Sequence, residues 1–210
     1  MQPAELVNHP LTNSSLDEET ARAEVYGLLA ALFYAAPSQA LYDNLKVAAT
    51  QAPAAGALLE ASWTELVAAA RGQSLVNITS EFDALFGGVS RPEVYVYGSH
   101  YLSGFLNEKP LAALRGDIAE LGLARDDAMP ETEDHVAYLC EVMRYLIAGD
   151  DVAVANLTRQ REFFTRHLQS WISQMCEALA AHPKAHFYRA LAGFTQTFMS
   201  VEAQGFDMLI

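Results

Sequence analysis

The residues of this chain whose types and spacing could do chemistry fall in two places. Glu131, Glu133, Asp134 and His135 crowd together just ahead of a helical apolar pattern. There a carboxylate can hold an imidazole in one tautomer at the mouth of a pocket. The same carboxylates also suit the first turn of a helix, where the helix dipole stabilises each by roughly 0.3–1 kcal/mol. The second place is the run Tyr95, Tyr97, Gly98, Ser99, His100, Tyr101 and Leu102. Ser99 and His100 are adjacent, but no third group is spaced to orient them as a catalytic dyad. His135 and Glu141 are six apart and point to different faces of a helix, so they do not share a metal. His182 and His186 are four apart, yet Pro183 lies between them and turns the chain. With no His-Glu-x-x-His, no Gly-rich phosphate loop and no Gly-x-Ser-x-Gly elbow, the expectation is a protein without catalytic residues, metal or cofactor.

The tyrosine-rich run supports a different chemistry. Aromatic rings beside small residues make a wall offering apolar area and hydroxyl donors to an extended or helical peptide. The overall charge agrees with such a partner if it is cationic. Thirteen basic residues against 26 acidic ones give a net charge of −13, which repels nucleic acid and anionic membrane surfaces and steers cations inward. Cys140 and Cys176 form no Cys-x-x-Cys pair. Residues 1–15 lack a basic segment followed by an apolar run, which predicts a cytoplasmic protein with a flexible start. The uncharged stretch Val25 to Ala36 stops at Pro37, too short to span a membrane.

The elements that must position these residues read as helices. Ser15 and Glu18 fit a capping box ahead of Val25, Leu28, Leu29, Leu32 and Phe33. Further helices are predicted from Ser38 to before Pro53, from Leu58 to Gly72, from Leu75 to the Gly87-Gly88 stop, and from Pro110 to Leu121. Others cover Val136 to Gly149, Val152 to Leu168, Trp171 to Ala181, and the stripe Phe187, Leu191, Phe194, Phe198 and Val201. Glu93 to Tyr97 is the longest period-two stretch. The predicted fold class is all-α: a single domain over 1–210, of about eight or nine helices, with a long loop at 89–109 between N- and C-terminal halves. Loops of that length are often functional.

The motifs, taken in order, resemble a known family. Glu81-Phe82 and Leu85-Phe86-Gly87, then Tyr97-Gly98-Ser99-His100-Tyr101-Leu102, Gly122-Leu123, and Glu131-Thr132-Glu133-Asp134-His135 with Glu141 and Met143 look like the TorD/DmsD/NarJ-type redox-enzyme maturation chaperones. The resemblance runs from the first helix to the helix after Asp134. It implies an all-helical cytoplasmic chaperone, not an enzyme, whose partner is a molybdoenzyme apoprotein and its N-terminal leader, often a twin-arginine signal peptide. It also implies a monomer or a helix-exchanging dimer. The Ser-x-Tyr-Leu motif falls on Ser99, Tyr101 and Leu102, and the Asp-His pair on Asp134 and His135. With Tyr97, Gly98 and Glu131 these make the expected peptide-binding set. Tyr95-Val96-Tyr97 stands where the family has proline or Pro-Trp, and Thr132 stands where it has proline; threonine can also cap a helix start. The resemblance implies a groove between two halves in which Tyr97, Tyr101 and Leu102 give apolar contact while Asp134 and its neighbours attract arginines. An assembly factor for a non-exported nitrate-reductase-type subunit is the alternative, and a helical metal-binding protein or enzyme a more distant one.

Overall fold

The computed structural model describes residues 11–50, 57–87, 91–106, 109–126 and 128–208, with side chains from Glu18 onward. Among them are ten helices, nine of seven residues or more, and no strand. The first, α1, spans Leu11–Tyr34. Its described part starts at Leu11, so Ser15 lies inside the helix and not at an N-cap position. The capping-box reading is corrected: Ser15 has helix on both sides, so the N–H groups that follow it bond to helix carbonyls and need no side-chain cap. Of the stretch expected to be flexible, 1–10 lies outside the described residues and the rest is helical.

Next come α2 (Gln39–Val47), α3 (Glu60–Gly72) and α4 (Leu75–Phe86). Ser38 and Ser74 cap α2 and α4, each hydroxyl accepting a backbone N–H of the first turn, from Leu41 and Asn77. The expected long loop is then interrupted. Val94 and Val96 are buried on one side of an extended stretch, Tyr97 bridges antiparallel to His135, and a six-residue helix, α5 (Gly98–Ser103), follows. The loop reading at 89–109 is corrected accordingly: six residues are too few to show a 3.6-residue period. After it, α6 (Lys109–Glu120) closes through Gly122 at φ +72°, whose N–H reaches the Ala119 carbonyl while Leu123 N–H reaches that of Ile118.

The remaining helices are α7 (Val136–Ala148), α8 (Leu157–Phe164), α9 (Ile172–Ala181) and α10 (Phe187–Asp207). The expected helix from Val152 starts only at Leu157, because Asn156 accepts the Arg159 N–H and caps it there. It then widens into a π-turn over Thr165–Gln169.

The apolar faces meet as their spacing requires. Val136, Leu139, Cys140, Met143, Leu146 and Ile147 recur at three- and four-residue steps and bury α7 along α1, against Tyr26, Leu29, Ala30 and Phe33. The predicted stripe of α10 is buried at Phe187, Leu191, Phe194 and Phe198, while Val201 is half-buried. This helix packs on α9 and α3. Among the described residues no helix is long and apolar enough to cross a membrane.

Candidate peptide-binding site

The site is built where the stretch before α5 meets the start of α7. Gly98 N–H donates to the Asp134 carbonyl at 2.9 Å and Val136 N–H to the Val96 carbonyl at 2.8 Å, so the two segments are stapled on either side of the Tyr97–His135 bridge. Asp134 completes the junction. Its Oδ2 accepts the Ser99 N–H at 2.9 Å and the Ser99 hydroxyl at 2.5 Å, and its Oδ1 accepts the Thr132 hydroxyl at 2.6 Å. Asp134 is 3% exposed and Ser99 1%. A charged acceptor with three donors in a buried setting is among the stronger hydrogen-bonding arrangements.

His135 caps α7. Its Nδ1 accepts the Ala137 N–H at 3.1 Å, and the Tyr97 ring meets the imidazole edge to face at 5.0 Å. Burial pushes His135 down to about 4, against the opposing charges of Glu131 and Asp134. The ring is therefore neutral at physiological pH, as its acceptor role demands. The Tyr97 hydroxyl donates to Glu131; burial first, and then this carboxylate, push the phenol well above its ordinary range.

Behind α5 lies Trp171. Its indole stacks on the Tyr101 ring at 5.6 Å and donates to the His167 carbonyl at 2.6 Å, and a Cβ on Gly98 would stand 3.0 Å from the indole nitrogen. A side chain at 98 would need the indole to give way by a few tenths of an ångström. The Tyr101 hydroxyl donates to the Tyr95 carbonyl at 2.8 Å. His167 in turn contacts Asp117 at 2.6 Å, joining the π-turn to α6.

The expected set is thus brought together, but in unequal roles. Gly98, Ser99, Asp134 and His135 are buried, and Tyr97, Tyr101 and Glu131 are half-buried, leaving Leu102 the exposed member. Asp134 has no oxygen turned toward solvent for an incoming arginine. Glu133 is likewise committed, to Arg115 at 2.9 Å and Arg125 at 3.7 Å. Burial raises its carboxyl, and the Arg115 hydrogen bond together with both guanidinium charges brings it net below the ordinary range.

The roles of three residues escaped the sequence reading. Phe105 and Leu106 stand 70% and 42% exposed in the turn after α5, continuing Leu102 at 44%; their signal was apolar residues persisting in a Gly- and Ser-rich run. Glu81 is the third. Its buried carboxylate accepts backbone N–H groups from His186, Phe187 and Tyr188 and so caps α10 from another helix. No local spacing announces a cap supplied from 105 residues away. His182 and His186 sit in a turn, with His182 facing Glu93 at 3.7 Å. Among the described residues no group of three or more His, Cys, Asp or Glu is placed to hold a metal.

Comparison with known proteins agrees with this architecture. Residues 52–177, about three-fifths of the chain and containing both halves of the junction, match the family model described as nitrate reductase delta subunit. Chaperone protein TorD of Shewanella loihica is 26% identical over 208 residues, covering 88% of this chain and 92% of that one. TorD of a Vibrio cholerae strain is 25% identical over 205 residues, covering 90% and 93%. TorD of Colwellia psychrerythraea is 23% identical over 223 residues, covering 90% and 92%. The class so defined is that of the non-enzymatic redox-enzyme maturation chaperones. Within it, this chain belongs to the nitrate reductase delta subunit family.

Proposed function

We propose that this protein binds, in the cytoplasm, the N-terminal leader of a molybdenum-cofactor oxidoreductase, a twin-arginine signal peptide, and holds the apoenzyme until its cofactor is inserted and export can follow. The observation that carries this reading is the exposed apolar ledge of Leu102, at the end of α5, with Phe105 and Leu106 in the turn that follows; the start of α5 is pinned by the buried hydrogen bonds of Ser99. Contiguous exposed apolar side chains mark interaction surfaces, and a rigid support lowers the ordering cost of binding.

Leu102 with Phe105 and Leu106 supplies the contact. Tyr97, Gly98, Ser99, Tyr101, Glu131, Asp134 and His135 are positioning residues that hold α5 against α7 and Trp171. The net charge of −13 raises the association rate of a cationic leader more than its final affinity. A second reading, favoured by the family description, is an assembly factor for a non-exported nitrate-reductase-type catalytic subunit. Co-purification with the client followed by mass spectrometry tests the function. Exchanging the two leader arginines for lysine separates the readings, since only the first needs the arginine pair.

A further inference from the structure

Asp134 and Glu133 are committed within the protein, so the guanidinium groups of a leader need another carboxylate. We propose that Glu141, between Tyr138 and Tyr145 on the outer face of α7, is the subsite for a leader arginine, and that Arg144 fills it in the free protein. The proposal rests on the leader-binding reading above.

Positions 138, 141 and 145 lie three and four residues apart, on one face of the helix. They line a cavity of about 380 Å³ whose far wall is Leu123 and Ala124, just after α6. A carboxylate flanked by aromatic rings over an apolar floor is complementary to guanidinium, which binds carboxylates in a planar fork and stacks on rings. The compact, strongly hydrated lysine ammonium gains less from the same surroundings.

Glu141 is also the carboxylate of this region that can be released. Its side chain is 48% exposed and its contact is Arg144 at 2.8 Å, itself 53% exposed. Exposed pairs three residues apart on a helix are weak. The Arg144 stem has its own seat, because its Cδ lies 3.1 Å from where a Cβ on Gly27 of α1 would be. Its guanidinium can therefore leave Glu141 while the stem stays packed. The cavity and the junction share α7, since Tyr138, which lines the one, lies about one turn beyond His135, which belongs to the other. A leader whose apolar run lies on the ledge and whose arginines lie on α7 would use both surfaces.

The test is calorimetric titration of the full chain with three synthetic peptides sharing a leucine-rich run preceded by Arg-Arg, Lys-Lys or Gln-Gln. Glu141→Gln should raise the Kd for the Arg-Arg peptide about tenfold and leave that for Gln-Gln unchanged, while Arg144→Gln should lower the Arg-Arg Kd about threefold. Circular dichroism should show both variants folded, since both side chains are exposed. If the Arg-Arg peptide binds the unmodified chain and Glu141→Gln with the same Kd, the subsite is overturned and the leader reading stands. If Lys-Lys binds as tightly as Arg-Arg, guanidinium recognition is overturned. If the Arg-Arg peptide fails to bind the unmodified chain, the leader reading itself falls.

Discussion

Asp134 accepts both the backbone N–H and the hydroxyl of Ser99, a residue 35 positions earlier, and thereby fixes the start of one helix to the start of another. The contact explains why an Asp-His pair and a Ser-x-Tyr-Leu motif occur in one chain: they are two sides of a single junction. Asp134→Ala should destabilise the fold by about 2–4 kcal/mol, because it strands a buried N–H and hydroxyl and removes charge-assisted bonds. Ser99→Ala keeps the backbone bond and should cost about 1 kcal/mol. Urea denaturation of the two variants checks the order; equal stability of Asp134→Ala and the parent would contradict the assignment.

A methyl group at position 98 is expected to displace the Trp171 indole. The added Cβ would press on the Trp171 indole at 3.0–3.1 Å, and overpacking of this kind costs about 1–3 kcal/mol. Trp171 is buried and Trp63 is the second tryptophan, so a shift in the fluorescence of Gly98→Ala that vanishes in a Trp171→Phe background reports displacement of that ring.

His135 gives the junction a pH dependence whose direction follows from its burial. The folded chain holds the imidazole at about 4 against an ordinary 6.5, so the unfolded chain takes up the proton first as pH falls. Its contribution to stability is complete above pH 6.5 and is lost between there and pH 4, a total of roughly 3 kcal/mol. Asparagine can also cap a helix without titrating here. Unfolding free energies from pH 7 to 4 should therefore fall more steeply for the parent than for His135→Asn, and parallel curves would contradict a neutral buried imidazole.

Glu81 holds three backbone N–H groups at the start of α10 and should act as a cap despite its distance in sequence. Glu81→Ala is expected to cost about 2–4 kcal/mol, above an ordinary cap, because the donors it leaves are buried. Hydrogen exchange should accelerate first at Phe187 and Tyr188; loss of protection spread evenly over the chain would argue against a local cap.

The long helices were legible because a buried face repeats every three or four residues, as in α7 and α10, and because residues such as Ser38 and Gly87 mark their ends. The alternation of Val94 and Val96 with Tyr95 and Tyr97 was legible for the same reason at period two. Where several turns of pattern were lacking, the reading faltered: α5 is a turn and a half long, and Asn156 moved the start of α8. The candidate residues were found by their types, but not their roles. Whether Asp134 faces solvent or Ser99 depends on which segment folds against it, and that is a long-range fact. The same holds for Glu81 and for Trp171 behind Gly98. Phe105 and Leu106 lie in the turn after α5, and their exposure follows from how that turn sits on the folded chain.

The central claim is that the pinned ledge after α5 receives the leader's apolar run, and the most direct measurement is calorimetric titration of a twin-arginine leader peptide into the parent and into Leu102→Asp/Phe105→Asp. Both side chains are well exposed, so the double variant should retain stability within about 0.5–1 kcal/mol. Saturable binding to the parent and a Kd at least tenfold weaker in the folded double variant is the expected result. Binding of equal strength to both proteins would contradict the account.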